Sequence, residues 1–226
     1  MTGLRRSLVP RRNPPLLPAP AARVLNPVAV AAALVVVLLG VLYAGHSEPG
    51  WFDAWVQPAA TESVDAAWSA AIAIDFFGEP RGSMVLTVLL AVTLTVLRRW
   101  RVLALAIAGP GLTVAVTTLG KPLTDRTIHV IHLSYPSGHT AFVTAVTLVV
   151  ALPLARRWRA GPVVVLACAL VTGSYAAWAQ VGLNAHYATD TIGGFCAAVA
   201  VVPATAGLID RIWRRMSGEP DGPQAV

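Results

Sequence analysis

Lys121 is the single lysine among 17 cationic side chains, and it opens the polar run Lys121-Pro-Leu-Thr-Asp-Arg126. Two further blocks follow, Pro136-Ser-Gly-His139 and His186-Tyr-Ala-Thr-Asp190. An isolated cation, two histidines and a carboxylate at the ends of long apolar runs are the parts of a phosphate-handling site. Lys121 and Arg126 can neutralise phosphate oxygens, and phosphoryl transfer depends mainly on positioning and charge stabilisation. His139 starts an apolar run directly after Ser137 and Gly138. A helix beginning there turns unpaired N–H groups and a positive dipole end toward an anion, and Gly138 allows close approach of the backbone. His186 and Asp190 are spaced to share one face of a helix. Asp190 can then hold one ring nitrogen and turn the other toward a substrate, the arrangement of catalytic triads. No Ser, Thr or Cys is paired with His186 by spacing, so the imidazole itself is the expected nucleophile at phosphorus.

The elements that must hold these groups are membrane-length. The chain is 56% hydrophobic, 12% charged, and has a mean hydropathy of +0.65, whereas soluble domains carry about 25% charged residues. Six spans are expected: Pro27–Gly45, Pro80–Leu97, Val102–Leu119, His139–Ala155, Ala160–Val181 and Thr189–Ile209. Each approaches the roughly 17–25 residues that cross a hydrocarbon core. The predicted fold is therefore an all-α, six-helix polytopic membrane bundle over residues 27–212. Residues 1–26, with five arginines and five prolines, read as a disordered basic cytoplasmic tail, and residues 213–226 as a second tail. Segment 46–79 mixes Trp51, Phe52, Trp55 and Trp68 with acids, so an interfacial or shallow re-entrant segment outside the membrane is expected there.

Charge sets the orientation. With the N-terminus inside, fourteen arginines fall on the cytoplasmic side and only Arg81, Lys121 and Arg126 outside, the asymmetry of the positive-inside rule. All five histidines then lie outside. The net charge of +6 sits in tight clusters between apolar runs rather than on one surface, which argues against nucleic acid as a partner. Cys168 and Cys196 lie in apolar runs without a Cys-x-x-Cys pair, so neither a disulfide framework nor a metal site is expected. The arginine-for-lysine bias and Ala/Val richness point to a GC-rich bacterial genome, and so to a bacterial inner membrane.

These motifs resemble the PAP2 superfamily, the type 2 phosphatidic acid phosphatases. The family blocks are Lys-x6-Arg-Pro, Pro-Ser-Gly-His and Ser-Arg-x5-His-x3-Asp. Pro136–His139 matches the second in full, His186 and Asp190 match the end of the third, and Lys121 opens the first. The resemblance covers roughly residues 80–210. It implies that His186 is the nucleophile of a phosphohistidine, Asp190 its orienting partner and His139 the acid that protonates the leaving oxygen. It also implies that Lys121 and the Ser137–Gly138 backbone hold the phosphate, without metal or cofactor. The departures are specific. Family cations would fall at Ile128 and Gln180, leaving Arg126, two residues early, as the expected substitute and Gln180 as a neutral donor. The implied activity is hydrolysis of a phosphomonoester or pyrophosphate on a membrane lipid. Polyprenyl (di)phosphate is favoured; phosphatidylglycerol phosphate, phosphatidic acid and a polyprenyl phosphosugar stay open. The alternative is a non-catalytic lipid-phosphate binder or transporter.

Overall fold

A computed structural model describes residues 14–217. Within them the chain forms α1 (Ala19–Leu42), α2 (Trp51–Ala66), α3 (Trp68–Gly78), α4 (Pro80–Val96), α5 (Trp100–Thr124), a hairpin of β1 (Thr127–Ile128) and β2 (His132–Leu133), α6 (Gly138–Ala155), α7 (Gly161–Gly182) and α8 (Ala188–Ser217). Five of these, α1, α5, α6, α7 and α8, are long and apolar enough to cross a membrane. The chain is thus an all-α polytopic membrane protein. A bent pair, α3 and α4, makes a sixth span or a re-entrant loop. At 17 residues, α4 reaches only about 25 Å at 1.5 Å per residue, short of the roughly 30 Å core. It qualifies as a crossing together with α3, from which it is bent by 66°.

Local sequence explains the boundaries. Pro80 and Pro162 open α4 and α7 at positions whose N–H has no helical partner. Asp53 Oδ2 accepts from the Gly50 amide at 3.1 Å, satisfying the donor just ahead of α2. Asp125 ends α5 in the left-handed region, at φ 49°, which aspartate tolerates better than most residues.

Four expected boundaries are corrected. Helix α1 begins at Ala19 rather than Pro27, and Leu16 is buried. The amides of Leu16 and Leu17 donate to Asp210 of α8 at 3.0 and 2.9 Å, which ties this stretch to the bundle; residues 1–13 of the expected tail lie outside the described residues. Segment 46–79 holds two helices rather than one, because Ala67 interrupts the run. Lys121, expected in a loop, lies in the last turn of α5. Helix α8 continues to Ser217, past the expected end of the membrane domain, while residues 218–226 lie outside the described residues.

Helix α8 packs against α1, α5 and α6, and α7 against α6, α2 and α3. Lipid tails are as apolar as leucine, so burial alone does not bring membrane helices together; small residues that let backbones approach do. The seam of α6 and α8 is built that way, with Ala141, Ala145, Gly193, Gly194, Ala197 and Ala198 buried. At Gly194 a Cβ would stand 2.2 Å from the Ser137 carbonyl oxygen, so this contact requires glycine.

Candidate active site

Three chain turns meet at one end of the bundle: the end of α5, the start of α6, and the α7–α8 connection. Ser137 is the N-cap of α6, its Oγ accepting from the Thr140 amide at 3.5 Å. Its own amide donates to the Asp190 carbonyl at 3.0 Å. The start of α6 is thereby fixed to the start of α8. The Gly138 and His139 amides make no hydrogen bond among the described residues, so they remain as donors of the first turn. A hydroxyl of Thr124 donates to the Tyr135 carbonyl, joining the end of α5 to the loop that leads into α6.

His186 and His139 face each other with ring centroids 6.5 Å apart. His186 Nδ1 lies 3.6 Å from Asp190 Oδ2 and has no hydrogen-bond partner among the described residues. The separation exceeds that of a formed hydrogen bond, and such contacts are commonly long before substrate arrives. Asp190 is fully buried. Its Oδ2 accepts from the Tyr187 amide at 3.0 Å, and its Oδ1 from Arg126 Nη1 at 2.6 Å. Lys121 stands in the last turn of α5, at this same end of the bundle. The expected pair His186–Asp190, the facing His139, Lys121, Ser137 and Gly138 are therefore brought together.

Arg126 is not where a substitute phosphate ligand should be. It is completely buried, bridging Asp190 Oδ1 at 2.6 Å and Asp53 Oδ2 at 2.7 Å. Nη1 also donates to Thr189 Oγ1 at 2.6 Å. Its guanidinium lies between the rings of Tyr43 and Tyr187, 4.1 and 4.7 Å from their centroids. Two carboxylates already neutralise it, and a phosphate would have to displace them. Against the expectation of a free phosphate ligand, the Arg126 guanidinium is engaged by Asp53, Asp190 and Thr189. Burial, more than neighbouring charge, pushes the Tyr187 phenol above its usual range, so the ring stays neutral beside the guanidinium.

Gln180 is also committed elsewhere. Its Nε2 donates to Asp75 Oδ1 at 2.5 Å. Asp75 Oδ1 in turn stands 3.5 Å from His139 Nε2. His129 and His132, without an expected role, sit in the hairpin; His129 Nε2 contacts the Asn184 carbonyl at 2.8 Å.

Sequence reading missed Asp53, Asp75 and Thr189. Thr189 links the α8 start to α2, its amide and hydroxyl both donating to Asp53. The local signals were present but unspecific. Asp53 has the spacing of a helix-start cap after Gly50, and Asp75 is an acid inside the apolar run Ile72-Ala-Ile-Asp-Phe-Phe77. Neither spacing discloses a partner more than fifty residues away.

The PAP2 superfamily model matches residues 82–214, which includes every residue of the three turns but neither Asp53 nor Asp75. No curated protein and no solved structure matches the chain.

Proposed function

Because the chain belongs to the PAP2 superfamily, we propose that it hydrolyses a phosphate ester or anhydride of a membrane lipid through His186. The observation that carries this reading is the opposed histidine pair, one ring backed by buried Asp190 and the other at the start of α6. With Nδ1 turned to Asp190, Nε2 of His186 is free to attack phosphorus. The P–N bond forms as the P–O bond to the lipid breaks, and the leaving oxygen takes a proton from His139. Water then attacks phosphorus as the P–N bond to His186 breaks, His139 receives the water's proton, and inorganic phosphate leaves. Lys121 and the free amides of Gly138 and His139 stabilise charge on the phosphoryl oxygens. The step as written uses no metal.

A polyprenyl (di)phosphate is the preferred substrate, with glycerophospholipid phosphates as the alternatives, presented at the extracytoplasmic face of a bacterial inner membrane. The positive-inside asymmetry supports that side.

One observation favours a second reading. With Arg126 held by two carboxylates and Gln180 bonded to Asp75, Lys121 is the one cation of the expected set left for phosphate. That suits a protein that binds or moves lipid phosphates without cleaving them. Phosphate release by the purified chain in detergent, over a panel of polyprenyl and glycerolipid phosphates, separates the two. Hydrolysis that survives chelation and is inhibited by orthovanadate, a mimic of five-coordinate phosphorus, is the expected result. Binding without release across the panel selects the second reading.

A further inference from the structure

We infer that Asp75, Glu79 and His139 form a divalent-cation site of the zinc type, and that an ion bound there competes with hydrolysis for His139. Candidate ligand atoms of the three residues lie within 4.8 Å of one another. They come from three places in the fold: Asp75 from the last turn of α3, Glu79 from the bend between α3 and α4, His139 from the start of α6. Gly78 makes the approach possible. A Cβ there would stand 2.3 Å from the His139 ring, so the imidazole nests directly on the bend.

Two independent observations point to a cation. First, His139 Nε2 and Asp75 Oδ1 are 3.5 Å apart, long for a hydrogen bond. Neighbouring ligands of a tetrahedral zinc with bonds of about 2.0–2.1 Å lie about 3.3 Å apart. Second, the Gln180 carboxamide bordering the site is almost fully buried, yet its Oε1 has no hydrogen-bond partner among the described residues. Its Nε2 meanwhile holds Asp75 Oδ1 at 2.5 Å, as outer-shell groups hold ligating carboxylates. One imidazole with two carboxylates suits zinc and its transition-metal neighbours, whereas magnesium prefers near-octahedral oxygen with retained water. Glu79 is exposed, which leaves an entry path. The cluster also lies beside Gln180, where the resemblance expects a fixed positive charge.

The cation site stands independently of the hydrolytic reading, while its inhibitory effect rests on it. An ion on His139 Nε2 takes that nitrogen's lone pair, so Nε2 can carry no proton to a departing oxygen and the ring cannot become the imidazolium acid. Zinc is titrated calorimetrically into the purified full chain in detergent without substrate. The expected result is one zinc per chain, bound at least about tenfold more weakly after Glu79→Gln or Asp75→Asn and with unchanged affinity after His186→Ala. In the phosphate-release assay zinc should inhibit and magnesium should not. Glu79→Gln should keep the zinc-free rate and need a correspondingly higher zinc concentration for inhibition. Zinc affinity indifferent to both carboxylate substitutions overturns the site, and zinc activation overturns the competition. A chain that binds zinc in this pattern but cleaves no lipid phosphate keeps the site and loses the phosphatase reading. Hydrolysis without zinc binding does the reverse.

Discussion

At the scale of single residues, two cations near the same site have opposite tasks, and their variants should fail differently. Lys121→Ala should leave the fold intact and lower the rate by about 10²–10³, the usual effect of losing one charge-stabilising donor. Arg126→Ala should instead strip the buried carboxylates of Asp53 and Asp190 of the cation they share, at a cost of about 3–5 kcal/mol. That appears as a lowered thermal midpoint in detergent. An Arg126→Ala protein with unchanged midpoint and raised KM would restore Arg126 as a phosphate ligand. The histidines provide the mechanistic test. His186→Ala should abolish phosphate release, and His139→Ala should reduce it by about 10²–10⁴-fold, as for a lost general acid. Equal, small effects of the two would contradict the division of labour between nucleophile and acid. The reactive groups were legible in the sequence because each stands in a short local motif at a helix boundary. The role of Arg126 was not, since the partner that claims it, Asp53, is 73 positions away and spacing reports only neighbours along the chain.

At the scale of elements, the site depends on how closely α6 approaches α8. Gly194 sets that distance, and Gly194→Ala should push the α6 start outward, because the new methyl meets the backbone oxygen of Ser137 rather than a movable side chain. A displacement of about 1 Å can cost about 10²-fold in rate. The expected outcome is a folded, helical protein with strongly reduced turnover, seen by circular dichroism beside the phosphate assay. Full activity in Gly194→Ala would show that the seam can relax without moving His139. The long spans were predictable from apolar length alone, as α6 and α7 illustrate. The α3–α4 pair was harder, because neither half is long enough alone and the two are bent by 66° at Glu79-Pro80. The start of α1 was misplaced for a different reason: Leu16 and Leu17 are held by Asp210, a partner at the far end of the chain.

At the scale of the whole molecule, one end carries the arginine clusters and the other the histidines. The expected topology places the hairpin outside the cell. Val130, exposed at the hairpin tip, is the position to probe. Val130→Cys, in a background lacking Cys168 and Cys196, should react with a membrane-impermeant thiol reagent in intact cells; labelling only after lysis would invert the orientation. The Arg126 bridge has a further consequence, for the order in which the molecule can be completed. It ties Asp53, early in the chain, to Thr189 and Asp190 at the start of the final helix. During synthesis Asp53 and Arg126 can pair with each other, but the second carboxylate of the bridge, Asp190, arrives only with the last helix. A ribosome-bound chain stopped before α8 therefore holds Asp53 and Arg126 with half their bridge missing, and the Ser137 amide without its Asp190 acceptor. The site is assembled in one late event, so truncations ahead of α8 should be cleared by quality-control proteolysis rather than persist as partly active forms.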